Sequence, residues 1–274
     1  MLLFNKGVSL GALGLFLMIF FGLSCHGLQS GDHRSVNLAT DLDEIESRLR
    51  ATVAFLDPET ERIFCSGFFV SPRQIISAAH CFEPSATLTL PDGDTIQIPT
   101  GVDPTGETAH FINYGDLDMT TNRLLQPPKR ATIVHFHRGD DLVILDLETP
   151  LEDSRDVFRF AETQPRVGSQ AYGIGHPYRL AWSFENGIIS RIVRSPGSGR
   201  ILLLQASVPV AGGNSGGPLL DSEGNVIGMA LAYIDRLPHL SIFISAEQIQ
   251  SQIRVHWARQ VIMAYEERQR QTNP

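Results

Sequence analysis

Between residues 51 and 245 the chain alternates short apolar runs with turn-forming residues, and this rhythm constrains the fold more than any other feature. The runs, such as "IFCSGFFVS", "DLVILDL" and "NVIGMALAY", are rich in Val, Ile, Leu and Phe, and Gly, Pro, Asp and Asn separate them. The stretch "LPDGDT" adds the Asp-Gly pair that is typical of a tight hairpin. The pattern predicts an all-β sandwich or barrel.

Two segments break this rhythm and divide the chain. Residues 150–166 ("PLEDSRDVFRFAETQPR") are charged and lie near the middle, which indicates a connector between a first β unit at 50–149 and a second at 167–245. No sequence repeat relates the two units. Residues 26–49 are polar, and we predict a short helix for "DLDEIESRLR" (residues 41–50) at the end of this segment.

Residues 246–274 are predicted to form a C-terminal helix and tail. Apolar residues that recur every four positions line one helical face, and they are Ile249, Ile253, Trp257, Val261 and Tyr265. Ser245 and Gln248 form a capping-box pattern at its start. We expect the apolar face to pack across the second β unit. Binding of a lipid or a partner by the same stripe stays open.

Residues 1–25 are predicted to be a signal peptide or an N-terminal anchor. Lys6 is followed by an apolar run from 8 to 23 that ends in small residues, which is the arrangement of an export signal. The same run is long enough to span a bilayer if it is not cleaved. We therefore expect an exported protein that is secreted, periplasmic or held in the cell envelope.

The three cysteines fit an exported protein with one disulfide. The simplest pairing joins Cys65 to Cys81 and leaves Cys25, at the end of the apolar run, to be removed or lipidated. The stretch "GLSC" is similar to a bacterial lipoprotein cleavage box. It departs from that box with Gly22 where a Leu-like residue is usual and Leu23 where a small residue is usual. Lipidation of Cys25, and with it a second route to the membrane, stays open.

Composition limits the other partners. The 274 residues are 42% hydrophobic, enough for a sizeable core, and the net charge of −8 comes without a basic cluster, so no nucleic acid is expected as a partner. His135 and His137 fall on one face of a strand near two aspartates, but the spacing is generic and no third ligand is evident. We predict no metal site and no cofactor.

A serine lies among glycines in "GGNSGGPLL", and other residues of the chain could activate it. Acyl transfer by a serine needs a base, an acid that orients the base, and N–H donors for the developing oxyanion. Ser215 is the candidate nucleophile and His80, in "IISAAHC", is the candidate base. Asp141, which opens "DLVILDL", is the candidate acid, and the adjacent Asp140 is its competitor. Gly213 and Ser215 are the candidate oxyanion donors, since glycine can adopt the backbone angles that the site requires.

These stretches resemble the histidine, aspartate and serine boxes of the trypsin/chymotrypsin-like serine peptidases, in that family's order. The resemblance is carried by "SGFFVSPRQIISAAHC", "DLVILDL" and "GNSGGPLL", while "VGSQAYGIGHP", "NGIIS" and "GNVIGMAL" resemble the bacterial HtrA-like and glutamyl-endopeptidase-like branches. Over about residues 50–250, it implies two six-stranded antiparallel Greek-key barrels with a site in the cleft between them. It also implies cleavage of polypeptide substrates through an acyl-enzyme. The spacing of Cys65 and Cys81 matches the family's bridge beside the histidine.

The chain departs from the family pattern at several places. Asn214 precedes the serine where trypsin-like digestive enzymes have Asp, so activation by a new N-terminal amine is not expected. HtrA-like enzymes carry a PDZ domain after the protease, for which the residues after the second β unit are too few, and we therefore expect a monomer. Two alternatives remain: an inactive binding or adhesion protein of the same fold, and an enzyme kept latent by residues 27–48.

The substrate pocket is predicted from family positions. The pocket base falls on Pro209, which offers no acid to attract Arg or Lys, and Ala230 stands where glutamate-specific relatives have a histidine. We therefore expect a small or medium aliphatic residue on the N-terminal side of the scissile bond, the P1 position. The predicted pocket residues are Pro209, Val210, Leu231, Ala232 and Tyr233.

Overall fold

Two closed β-barrels account for most of the computed structural model, which describes residues 37–38, 41–89, 95–118, 120–121, 123–151, 156–233 and 240–272. The strands are β1 (Thr52–Leu56), β2 (Ile63–Ser71), β3 (Gln74–Ser77), β4 (Ser85–Thr89), β5 (Thr95–Pro99), β6 (Thr108–Asn113), β7 (Leu117–Asp118), β8 (Arg123–Leu124), β9 (Lys129–His137), β10 (Leu142–Leu147), β11 (Gln170–Gly175), β12 (Ser183–Arg194), β13 (Ile201–Ala206), β14 (Pro218–Leu220), β15 (Val226–Tyr233) and β16 (Ser241–Ser245). The helices are α1 (Leu42–Arg50) and α2 (Ala246–Thr272).

Each barrel closes from six antiparallel strands. The first has the order β1-β2-β3-β10-β9-β6, and the second has the order β11-β12-β13-β16-β15-β14. Two short hairpins, β4-β5 and β7-β8, complete the first half. The prediction of two six-stranded antiparallel barrels followed by a C-terminal helix is confirmed. The Asp-Gly pair that indicated a tight hairpin lies outside the described residues, between β4 and β5 in the sequence.

Successive residues along β10 belong alternately to the interior of the first barrel and to the surface that the two barrels share. In β10, Val143 and Leu145 join the apolar core of the first barrel, while Leu142 and Ile144 join a cluster formed with residues of the second barrel. That shared cluster also includes Phe68, Ile76, Tyr172, Ile174, Met229 and Ile244. Burial on both faces explains why "DLVILDL" is a continuous apolar run.

The two segments that break the strand rhythm pack onto the barrels. In the connector, Phe158 is buried and its N–H donates to the Phe69 carbonyl at 2.8 Å. The predicted short helix is α1, where Asp41 caps the first turn by accepting from the Glu44 N–H at 3.1 Å. Leu38, just before α1, is fully buried. These contacts tie both segments to the fold.

The C-terminal helix departs from the expected packing. Ser245 Oγ accepts from the Gln248 N–H at 3.1 Å, which is one half of the predicted capping box. Ile249 is fully buried, and Ile253 packs partly buried on the cluster shared by the barrels. The residues at the remaining predicted positions, Trp257, Val261 and Tyr265, are exposed. The prediction that the whole stripe packs is therefore wrong beyond Ile253, because the helix continues past the barrel surface.

The predicted signal peptide or anchor at residues 1–25, including Cys25, lies outside the described residues. Within the described ranges, no helix combines the length and apolar character needed to cross a bilayer.

Candidate active site

His80 and Asp141 meet at one end of the first barrel. The chain leaves β3 and turns through a short 3₁₀ segment, Ala79–Cys81, which carries His80. Asp141 directly precedes β10 in the left-handed conformation, with φ of 48°, which Asp tolerates better than most residues. Its Oδ2 lies 2.7 Å from His80 Nδ1, and its Oδ1 accepts from the His80 backbone N–H at 2.7 Å. Both carboxylate oxygens thus fix the position of one histidine.

Asp140, the competitor for the acid position, has other partners. Its carboxylate accepts a hydrogen bond from Gln252 on α2, and its backbone N–H donates to His137 Nδ1 at 3.0 Å. The structure therefore brings Asp141, and not Asp140, to His80.

The disulfide joins β2 to the turn that carries His80. Cys65 and Cys81 are bonded as expected. The Sγ of Cys81 lies 3.9 Å from the carbonyl oxygen of Ser215. Because Cys81 directly follows His80, the bridge restrains the histidine turn beside the serine loop.

The Ser215 loop forms a turn that leaves two N–H groups free. The Asn214 N–H donates to the Ala211 carbonyl at 3.0 Å, and Gly213 has a φ of +103°, as at the third position of a type II turn. Within the described residues, the backbone N–H groups of Gly213 and Ser215 have no acceptor. The next N–H, of Gly216, donates to the Ala230 carbonyl at 2.9 Å. The two free groups belong to the residues predicted as oxyanion donors.

The Ser215 hydroxyl and the His80 ring are not hydrogen-bonded to each other in the described residues. Within the described part of the chain, no hydrogen bond joins Ser215 Oγ to the His80 ring, although the Ser215 carbonyl is fixed to the first barrel by the Ser66 N–H at 2.8 Å. Catalytic hydrogen bonds are often long before a substrate binds and tighten in the complex. The described contacts thus join Asp141 to His80 and hold the Ser215 carbonyl against β2.

A small cavity of about 10 Å³ lies behind the Ser215 loop, room for roughly one water molecule. Pro209 and Val210 line it, together with Asn214 and two residues that the sequence did not indicate as pocket residues, Glu185 and Phe243. Larger depressions of about 660 and 610 Å³ lie elsewhere and include none of the predicted site residues.

The remaining predicted pocket residues lie on β15. Leu231 is half-buried against the cluster shared by the barrels, and Ala232 is exposed beside a β-bulge. The side chain of Tyr233 lies outside the described part.

A third histidine joins the pair on β9. His135 stacks on His137 with ring centroids 6.3 Å apart, and His256 of α2 lies 5.3 Å from His135. Burial lowers the pKa of both His135 and His256, because a charged ring would lose its hydration. No three of these side chains in the described ranges bring ligand atoms within 4.8 Å of one another.

Comparison of the sequence with known protein families shows to which family this chain belongs. A family model described as a trypsin-like peptidase domain matches residues 65–229, more than half of the chain. The chain belongs to this family. The resemblance that the three sequence boxes carried is thereby confirmed.

Curated relatives match this trypsin-like peptidase domain over part of their length. "Protease Do-like 1, chloroplastic" from Arabidopsis thaliana is 29% identical over 152 residues, which are 51% of this chain and 35% of the relative. "Serine endoprotease DegS" from Haemophilus influenzae is 37% identical over 109 residues, which are 39% of this chain and 32% of the relative. The chain thus spans about a third of the length of these relatives.

Solved structures share the fold. The active form of the Rv3671c protease from M. tuberculosis superposes with a TM-score of 0.57 at 18% identity, over 80% of this chain and 87% of that one. The serine endoprotease from Yersinia pestis superposes with a TM-score of 0.56 at 18% identity, over 78% of this chain and 65% of that one. Both support the double-barrel architecture.

Proposed function

We propose that the protein is an exported serine endopeptidase that hydrolyses peptide bonds through an acyl-enzyme, with Ser215 as nucleophile, His80 as general base and Asp141 as the acid that orients the base. The observation that carries the proposal is the double hydrogen bond between the Asp141 carboxylate and His80, formed beside a serine loop with two free N–H groups.

The geometry supports a defined sequence of proton transfers. An Asp141 carboxylate accepts the Nδ1–H of His80, which leaves Nε2 unprotonated and able to take the Ser215 proton. The alkoxide attacks the substrate carbonyl, and the N–H groups of Gly213 and Ser215 hold the oxyanion. His80 then returns the proton to the leaving amine. Water repeats the cycle on the acyl-enzyme and releases the second product.

Export is supported by the sequence and by relatives. The apolar run at residues 8–23 has the pattern of an export signal, and the Cys65–Cys81 bridge suits an oxidising compartment. A relative from Haemophilus influenzae is named "Probable periplasmic serine protease do/HhoA-like". We therefore propose that the mature protein lies outside the cytoplasm and that its substrates are polypeptides.

We also propose the domain division at residues 50–149, 150–166, 167–245 and 246–274.

The P1 residue is proposed to be small or medium and aliphatic. The predicted pocket residues Pro209 and Val210 are both apolar. Glu185 lines the same cavity as these two residues and is the acid that could select a basic residue instead. Profiling the cleavage of a peptide library tests the choice: a predominance of Ala, Val or Leu supports it, whereas a predominance of Arg, Lys or Glu refutes it.

Hydrolysis of an unfolded protein tests the proposed activity. Full-length wild type should cleave it at neutral pH, and the Ser215→Ala variant, matched for its melting temperature, should not. Equal cleavage by both would assign the activity to a contaminant or to another residue. No cleavage by folded wild type would favour a binding protein of the same fold.

A further inference from the structure

Ser66 on β2 holds the serine loop of the other barrel at two points. Its backbone N–H donates to the Ser215 carbonyl at 2.8 Å, and its Oγ donates to the Gly213 carbonyl at 2.7 Å. Ser66 is fully buried, so water does not compete for these bonds. The two carbonyls belong to the two residues whose N–H groups are free. Ser66 therefore restrains the loop at both proposed oxyanion donors.

A buried histidine orients this serine. His176 directly follows β11 and is fully buried, with its Nδ1 2.8 Å from Ser66 Oγ. A hydroxyl has one proton, and Ser66 uses it toward the Gly213 carbonyl. The proton between Ser66 and His176 must then come from His176 Nδ1–H. The chain of donors runs from His176 through Ser66 to Gly213.

The surroundings of His176 keep it neutral and in place. The Trp182 ring packs edge-on at 4.6 Å between centroids, and its Nε1–H donates to the Thr52 carbonyl of the first barrel at 3.0 Å. Burial lowers the pKa of His176 to about 3, so the ring remains uncharged at neutral pH. Its Nε2 is buried and has no partner within the described residues. A fixed, neutral ring is suited to donate one proton permanently to Ser66.

We propose that His176 and Ser66 are positioning residues that hold the Gly213–Ser215 loop in the geometry that binds the oxyanion. The inference rests on the proposed function. It assigns a second serine–histidine pair that contacts neither substrate nor reacting atoms. The pair links the two barrels, because Ser66 belongs to the first barrel and the loop to the second.

Four variants separate positioning from general stability. Ser66→Ala and His176→Phe both break the chain of donors, and each should lower kcat about ten- to one hundred-fold while KM changes less than about two-fold. The loss is smaller than the 10²–10³ typical of deleting an oxyanion donor, because the donor is displaced and not removed. His176→Asn places an amide N–H near the Nδ1 position and should restore most of kcat. In the double variant of Ser66→Ala and His176→Phe, the second change should have no further effect.

Inhibitors report on the loop directly. A peptide boronate, which forms a tetrahedral adduct at the serine, should bind Ser66→Ala about ten- to one hundred-fold more weakly than wild type, while a product peptide binds both equally. Unchanged kcat and boronate affinity in folded Ser66→Ala would overturn the proposal. Equal activity of the Asn and Phe variants at His176 would also overturn it, as would fully additive effects in the double variant.

An NMR measurement keeps this test separate from the proposed activity. The ¹⁵N shifts of the His176 ring in wild type should show a neutral ring with the proton on Nδ1 between about pH 5 and pH 8. Ser66→Ala should shift the Nδ1 signal. A proton on Nε2, or titration near pH 6.5, would refute the donor chain whether or not the protein cleaves peptides. If wild type shows the expected ring state but no activity, the proposed function fails and the hydrogen-bond chain stands.

Discussion

Asp141→Asn is the substitution whose effect the site geometry defines best. The amide oxygen of Asn can still accept from the His80 backbone N–H, now 2.7 Å from Asp141 Oδ1. The amide nitrogen then faces His80 Nδ1, which lies 2.7 Å from Oδ2. Two donors cannot share that contact, so Nδ1 must become the acceptor and the ring proton moves to Nε2. In that tautomer His80 cannot take the proton of Ser215.

The expected loss is large. The equivalent exchange in a Ser-His-Asp triad lowers kcat about 10⁴-fold, which corresponds to about 5 kcal/mol of transition-state stabilisation. Folding should be little affected, because Asn tolerates the left-handed backbone that Asp141 adopts at φ 48°. The melting temperature of Asp141→Asn should therefore stay close to that of wild type.

A peptide substrate assay with Asp140→Asn as matched control measures this effect. Asp140 bonds to Gln252 and His137, so its exchange should change kcat/KM by less than about two-fold. Retention of more than about a tenth of wild-type activity by Asp141→Asn would show that Asp141 does not set the His80 tautomer. An equal loss in Asp140→Asn would show the same.

Three further predictions concern residues that support the candidate active site: the disulfide, Gly216 and His176. Replacing Cys65 and Cys81 by alanine should lower the free energy of unfolding by about 3 kcal/mol, since the bridge closes a short loop; an unchanged denaturant midpoint would contradict this. Gly216→Ala should lower the free energy of unfolding by more than about 2 kcal/mol, because Gly216 has a φ of +83° and an added Cβ would overlap oxygen atoms of the first barrel. Gly212→Ala meets open space and is its control, and equal melting temperatures would argue against the strain. The fold lowers the His176 pKa from 6.5 to about 3, so the stability that its neutral form supplies is full above pH 6.5 and declines as the pH falls toward 3. Between pH 6 and pH 4, the free energy of unfolding of wild type should fall by up to about 1.4 kcal/mol per pH unit more than that of His176→Asn. Parallel stability curves for the two proteins would show that the neutral form of His176 does not stabilise the fold.

The sequence predicted the features that are encoded locally. The apolar run after Asp141 is continuous because β10 is buried on both faces, and this burial is visible as a residue pattern. Two of the glycines around Ser215, Gly213 and Gly216, have the positive φ that other residues rarely adopt, and for Gly213 this matches the expectation. The three boxes and their order resemble those of a known peptidase family, and the prediction of two barrels came from that resemblance.

The sequence could not predict features that depend on distant contacts. His176 lies in "VGSQAYGIGHP", but this stretch does not indicate its contact with Ser66 of the other barrel, which lies 2.8 Å away. The apolar stripe of α2 has the same period before and after Ile253, so the pattern does not show where the barrel surface ends. For the same reason, the Gln252 contact that occupies Asp140 was not predictable from the aspartate's own surroundings.

Fluorophosphonate labelling of the full chain tests most directly whether Ser215 is an activated nucleophile. The probe phosphonylates a serine only when a base activates it and an oxyanion site receives the charge. We predict a single adduct on Ser215 at neutral pH, located by mass spectrometry. The adduct should be absent from Ser215→Ala and should form much more slowly in His80→Ala. Folded wild-type protein that forms no adduct on Ser215 would contradict this prediction.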